Sequence, residues 1–149
     1  MKKPFTIESL LVRVGTRMLC LSHSECALSV YRMAIEEAGH SETGEFFYEA
    51  GPADWIELLE GLLSKAMLRG ELAPADPHLA ACQLIALVMS ETRARLYQPA
   101  PPPLTLQHIR SMARRAVEAF LVGAAARQPD RRPRVRPRRS TALGAASSS

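Results

Sequence analysis

The chain has 149 residues, 47% apolar and 23% charged, enough for a hydrophobic core without disulfide or metal staples. Its net charge of +4 is unevenly placed. From residue 127 onward there are seven arginines and one aspartate, so residues 1–126 carry −2 and the basic balance is no sign of a nucleic-acid-binding fold.

The apolar spacing is helical almost throughout, with no alternating strand pattern. A first helix is expected over Thr6–Leu21, with Ile7, Leu10, Leu11, Val14, Met18 and Leu21 on one broad face. Ser22 and Glu25 fit a capping box for a second helix over His23–Ala38, striped by Leu28, Tyr31, Ile35 and Ala38, with Gly39 as its left-handed terminator. A short third helix covers Glu42–Glu49. Gly51-Pro52 separates it from a fourth over Pro52–Leu68, because proline suits the first helical position. Gly70 follows that helix. Asp76 and Pro77 then open a fifth, expected to run to Tyr97. Gln98–Pro103, "QPAPPP", forms a stiff connector, and Thr105 caps a sixth helix over Leu106–Ala125. Residues 127–149 are Arg/Pro-rich and then Ser/Ala-rich, a composition expected to stay disordered. The expectation is an all-α domain of six helices over 1–126 followed by that tail.

Leu79–Met89, "LAACQLIALVM", is apolar nearly all round, with Gln83 the one interruption. A surface helix needs only one apolar stripe, so this one needs covers on both sides. The second cover comes either from its own domain or, more economically in so small a domain, from a second copy of the chain. The last helix, with a wide apolar stripe of its own, favours the second copy. The interface is then expected at Leu84, Leu87, Val88, Ile109, Met112, Ala116 and Phe120.

"YRMAIEEA" at Tyr31–Ala38, "FYEAGPA" at Phe47–Ala53, "RGEL" at Arg69–Leu72 and "DPHLAACQ" at Asp76–Gln83 resemble, in order and spacing, the C-terminal domain of TetR-type transcriptional regulators, and among these the AefR-like branch. The likeness is strongest over residues 28–88 and extends at helix-pattern level over about 6–126. It implies a domain that senses a small molecule between its middle helices. It also implies a homodimer in which the last two helices of each subunit form a four-helix bundle. In the family a helix-turn-helix head precedes the part matched here. Met1–Pro4 cannot stand for such a head, so this chain alone is expected not to bind an operator. The rival expectation is a helical dimerisation module that senses nothing and pairs with itself or with an intact relative.

Half of the eight aromatic residues lie in "EFFYEAGPADW", Glu45–Trp55. Together with nearby thioether and aliphatic groups they suggest a pocket for an apolar or aromatic molecule, lined by Tyr31, Phe47, Trp55, Leu59, Met67 and Met89, with Arg93 as a polar contact. The competing reading is an ordinary core, with Arg93 paired to Glu60 or another acid. Phe46 and Phe47 sit about 100° apart on a helix and cannot both face one ligand. Phe47 and Trp55 are the pair expected to turn inward.

Cys20-x-x-His23-x-x-Cys26 has metal-ligand chemistry, but a structural zinc site wants four ligands and none follows nearby. Small residues at a helix junction are the better account, and no metal or cofactor is expected. His40, His78 and His108 are isolated at helix ends. Glu36 and Glu37 are adjacent and point apart. No nucleophile motif or phosphate loop is present, so no enzyme is expected. Glu8, Arg13 and Arg17 interrupt any signal-like run, and Pro77–Ser90 is too short to span a bilayer, which makes the expected location cytoplasmic. The tail arginines give either a solvated segment or non-specific, salt-sensitive contact with nucleic acid.

Overall fold

The computed structural model describes residues 5–125. The arginine-rich tail and the expectations placed on it lie outside them. Among the described residues there are six α-helices: α1 (Ile7–Ser22), α2 (Glu25–Glu37), α3 (Thr43–Ala50), α4 (Pro52–Leu68), α5 (Pro77–Ser90) and α6 (Leu106–Ala124), with a 3-10 turn at Arg93–Tyr97 between the last two.

Short-range chemistry sets most of these ends. The hydroxyls of Thr6, Ser24 and Thr105 accept from backbone N–H groups three residues on, at 3.1–3.2 Å, and the Asp76 carboxylate accepts from His78 and Leu79. Pro52 and Pro77 occupy first-turn positions. The α4 terminus closes with Gly70 at φ +73°; Glu71 N–H reaches the Ala66 carbonyl and Gly70 N–H that of Met67, a Schellman arrangement.

Three local expectations are corrected. Ser22 is the last residue of α1, and the α2 cap is Ser24, two positions later. Gly39 does not adopt a left-handed conformation; among the described glycines only Gly70 does. The fifth helix stops at Ser90 rather than Tyr97. There the hydroxyls of Ser90 and Thr92 bond back to the carbonyls of Leu87 and Met89, a local alternative to the helical ladder, and Thr92 is buried in the resulting bend.

The core lies between α1, α4, α5 and α6. Leu11, Met18 and Leu19 of α1 meet Met112, Ala113 and Val117 of α6, while Leu59 and Leu63 of α4 pack towards Ala81, Leu84 and Val88 of α5. Gly15 lets α1 approach both neighbours: a Cβ there would lie 3.3 Å from Val88 Cγ2 and 3.5 Å from Ala113 Cβ. The α2–α3 pair sits to one side. Its crossing is tight at Gly44, where a Cβ would fall 2.7 Å from the Ala38 Cβ. The expected α2 stripe is only partly realised, since Leu28 and Ala34 are buried but Tyr31 and Ile35 are exposed. The reason is that α2 packs mainly on α3 and only lightly on α1.

The α5 helix gets most of its cover from its own domain, through α1, α4 and α6. One strip stays open, formed by Leu79, Gln83, Ala86 and Ser90. Most of the residues expected at a dimer interface contribute to the core of the single chain. Leu84, Val88, Ile109, Met112, Ala116 and Phe120 are all buried within the single chain, leaving Leu87 as the one partly exposed member. The second cover of the apolar helix, expected from a partner, is largely supplied within the chain: α1 and α6 take up one side and α4 another.

Candidate functional site

The residues expected to line one pocket are dispersed over the fold. Tyr31 and Phe47 meet edge to face at the α2–α3 pair, with ring centroids 5.8 Å apart and planes at 70°. Trp55 packs against the core from α4, and Leu59 lies inside that core. Met89 is partly buried against the core from α5, and Met67 also reaches the groove described next. Arg93 is exposed on the 3-10 turn. Glu60, its proposed partner, instead faces His78, with Nδ1 to Oε2 at 3.2 Å. Phe46 and Tyr48 are exposed, at 73% and 49%, while Phe47 and Trp55 turn inward.

A groove of about 1020 Å³ runs between α5 and α6. Gln83, Ala86 and Leu87 form one wall, Ala119, Phe120 and Gly123 the other, and Ala73–Ala75 close one end. That end is held by the Ala73 N–H to Ala124 carbonyl bond at 3.0 Å, beside a bridge between Leu72 and Ala125. The far end of α5 is tied to α6 by a two-pronged ion pair: Arg115 Nε and Nη2 reach the two Glu91 oxygens at 2.7 and 2.6 Å. This pairing lowers the Glu91 pKa. Alanines and Gly123 make up much of the groove lining, beside the larger Met67, Gln83, Leu87 and Phe120, and these small residues let another helix come close.

A second cavity, about 610 Å³, lies where the α1–α2 junction meets the proline-rich connector. Cys20, His23, Ser24, Glu25, Leu28 and Arg32 line one side, and Arg95, Pro99–Pro101 and Pro103–Leu104 the other. Arg32 holds the connector in place. Its Nε donates to the Leu96 carbonyl and its Nη2 to that of Arg95, each at 3.1 Å, and Nη2 also donates to Gln98. Both ring nitrogens of His23 and the Nε of Arg95 are buried, without a hydrogen-bond partner among the described residues. Burial, and then the nearby Arg95 charge, push the His23 pKa below its ordinary value.

Sequence reasoning singled out His23 for a different reason and missed Arg32 and Arg95. The available signal was Arg32 among the apolar residues of α2, followed much later by a rigid proline run. Cys20 and Cys26 are both exposed, and among the described residues no three His, Cys, Asp or Glu side chains are grouped to hold a metal ion.

An all-helical bundle with a peripheral helix pair, and a long last helix packed beside a central one, is the architecture of a TetR-type regulatory domain. The chain superposes on the crystal structure of a protein described as a TetR-family transcriptional regulator from Mesorhizobium loti MAFF303099. The TM-score is 0.73 at 22% identity, over 83% of this chain and 61% of that one. The chain thus spans less than two thirds of that protein's length. Residues 9–123 match the family described as the AefR-like transcriptional repressor, C-terminal domain, and the chain belongs to that family. No curated protein matches the chain in sequence. Among the described residues no helix is long and apolar enough to cross a membrane.

Proposed function

We propose that the chain is the dimerising, effector-responsive part of a transcriptional regulator and carries no enzymatic activity. The groove between α5 and α6 carries this reading. It is mainly apolar and rich in alanine, and Leu79 of α5 and Val122 of α6 are exposed, at 54% and 85%. A second copy related by a two-fold axis would lay its own α5 and α6 there, completing a four-helix bundle. The contact surface is then Gln83, Ala86, Leu87, Ala119 and Gly123 rather than the buried residues that periodicity suggests. The bundle would pass the tilt of α1 from one subunit to the other, since α1 packs along α6.

The effector in this reading is a small apolar or aromatic molecule that opens the α2–α3 pair away from α4, where Tyr31, Phe47 and Trp55 lie. A non-sensing dimerisation module is the second reading, favoured by Tyr31 and Phe47 touching each other and by Leu59 being sealed in the core. Operator binding needs a DNA-reading element, and the described residues offer none.

Ala119→Arg tests the pairing. Ala119 is exposed on the groove wall, so arginine fits the isolated subunit but would be an unpaired charge inside the bundle. Light scattering should show a wild-type dimer at micromolar concentration and a monomer for the variant, with matching circular dichroism. A monomeric wild type, or a variant that still pairs, refutes the reading. Thermal-shift screening with apolar and aromatic compounds separates the sensor from the silent module.

A further inference from the structure

Helices α2, α3 and α4 carry exposed apolar side chains flanked by unpaired acids. Residues 33–64 hold eight acidic side chains and no lysine or arginine, out of fourteen acids in residues 1–126. Among the described residues, Glu36, Glu42, Glu45, Glu49, Asp54 and Glu57 are exposed and make no ion pair. Helical spacing sets several of them beside large apolar groups that the fold leaves outside. On α3, Glu42 and Glu49 lie one turn either side of Phe46, which is 73% exposed. On α2, Glu36 and Glu37 follow exposed Met33 by one turn, and on α4 Asp54 precedes exposed Leu58. The α3 helix packs on both α2 and α4, so the three ridges belong to adjoining helices. Glu42, Glu45 and Glu49 are also like-charge neighbours at helical spacing, which weakens a helix, and a cation seated among them removes that penalty.

The chain contains a complement to this face. Residues 127–139 carry seven arginines and one aspartate, with proline at 129, 133 and 137. Proline at that spacing opposes a helix and suits an extended chain. The starting point of the segment is fixed. Ala125 bridges to Leu72, and the Ala73 N–H donates to the Ala124 carbonyl at 3.0 Å, so the chain leaves from beside the C-terminal end of α4. From there the 17 residues of α4 lead back towards α3 over about 25 Å. Residues 126–139, if extended, span about 40 Å, which is enough to reach α3. Guanidinium groups meet carboxylates through parallel donors and lie over exposed rings, and proline packs on aromatic faces.

We propose that residues 127–139 of this chain dock on the outer ridge of α3, their guanidinium groups meeting Glu42, Glu45 and Glu49 and the segment lying over Phe46. The arginines are then occupied by their own domain rather than by nucleic acid, and a stronger polyanion would release them. Exposed ion pairs are individually weak and salt-sensitive, so the docking is a reversible equilibrium and not a fixed part of the fold. None of the ridge residues lines the α5–α6 groove, so the failure of this docking would leave the dimer reading intact.

The test is trypsin cleavage of the full chain. Arg131, Arg134, Arg138 and Arg139 precede residues other than proline and supply cleavable bonds. A ridge variant, Glu42→Gln with Glu45→Gln and Glu49→Gln, keeps the side-chain shapes and removes three charges. A control, Glu8→Gln with Glu118→Gln, removes exposed acids from α1 and α6. At low salt the tail bonds of the wild type should be cut about fivefold more slowly than those of the ridge variant. Salt at about 0.5 M should erase the difference, and the control should match the wild type. Neutralising the tail instead, by Arg131→Gln, Arg132→Gln, Arg134→Gln and Arg136→Gln together, should move the amide resonances of Glu45, Phe46 and Glu49. Equal cleavage of wild type and ridge variant would overturn the proposal. So would a control cut as fast as the ridge variant, which would mean that net charge alone retains the tail. Protection lost on dilution would place the tail on a second copy and overturn docking within the chain. Should the ridge variant fail to fold, the tail variant still decides, because unmoved α3 amides overturn the proposal.

Discussion

Replacing Arg32 by methionine keeps the apolar stem and removes the fork that holds the connector. In the native chain the guanidinium meets three carbonyls, those of Arg95, Leu96 and Gln98, from 63 to 66 positions away. The bonds to Leu96 and Arg95 are partly buried and that to Gln98 is exposed. Counting about 1 kcal/mol for each partly buried bond and nothing for the exposed one gives a loss of about 2 kcal/mol. At about 2–4 °C per kcal/mol for a domain of this size, Tm should fall by roughly 4–8 °C. Arg32→Lys keeps the charge but presents a single point donor, so it should recover no more than half of the loss. Urea denaturation followed by Trp55, the only tryptophan, measures both variants. Hydrogen exchange at Arg95 and Gln98 should speed up, because the backbone bonds of the 3-10 turn lose their support. An unchanged urea midpoint for Arg32→Met would refute the clamp. Full rescue by lysine would show that charge, not fork geometry, does the holding.

Two glycine substitutions of equal size should act in opposite directions. Gly44→Ala puts a methyl 2.7 Å from the Ala38 Cβ and 2.8 Å from its Cα, which forces α2 and α3 apart and costs about 1–3 kcal/mol. Gly61→Ala, in the interior of α4 with nothing within 4 Å, should stabilise by up to about 1 kcal/mol; equal urea midpoints for the two variants would refute the packing argument. The pH dependence of stability should carry a His23 contribution. Its folded pKa is depressed, so the unfolded chain binds the proton more readily. The stability it contributes is present above the ordinary value of 6.5 and lost as pH falls through the folded pKa. Urea midpoints on either side of that value should show the slope, and His23→Gln should flatten it.

The helices themselves were legible in the sequence because their signals are local. Asp76 and Thr105 cap the helices they precede, Pro52 and Pro77 open theirs, and Gly70 closes α4, all through contacts within a few residues. Where two local options compete, the sequence does not decide between them. Ser22 and Ser24 both suited a cap, and the Ser90 and Thr92 hydroxyls ended a helix whose apolar pattern seemed to continue. Helical spacing said that Phe46 and Phe47 face different ways, and the packing of the helices decided that Phe46 is the exposed one.

What covers each apolar face depends on where distant helices cross, and periodicity carries no information about that. The near-uniform apolar character of α5 said correctly that it needs more than one cover. Only the tertiary structure decided that α1, α4 and α6 supply most of it and that a strip from Leu79 to Ser90 is left open. The junction cavity is further still from anything local, because it joins residues 20–32 to residues 95–109. Arg32, Arg95 and His23 each look unremarkable in their own segments. Their unmet nitrogens become informative once folding has taken them out of water, where an unpaired polar atom has a cost.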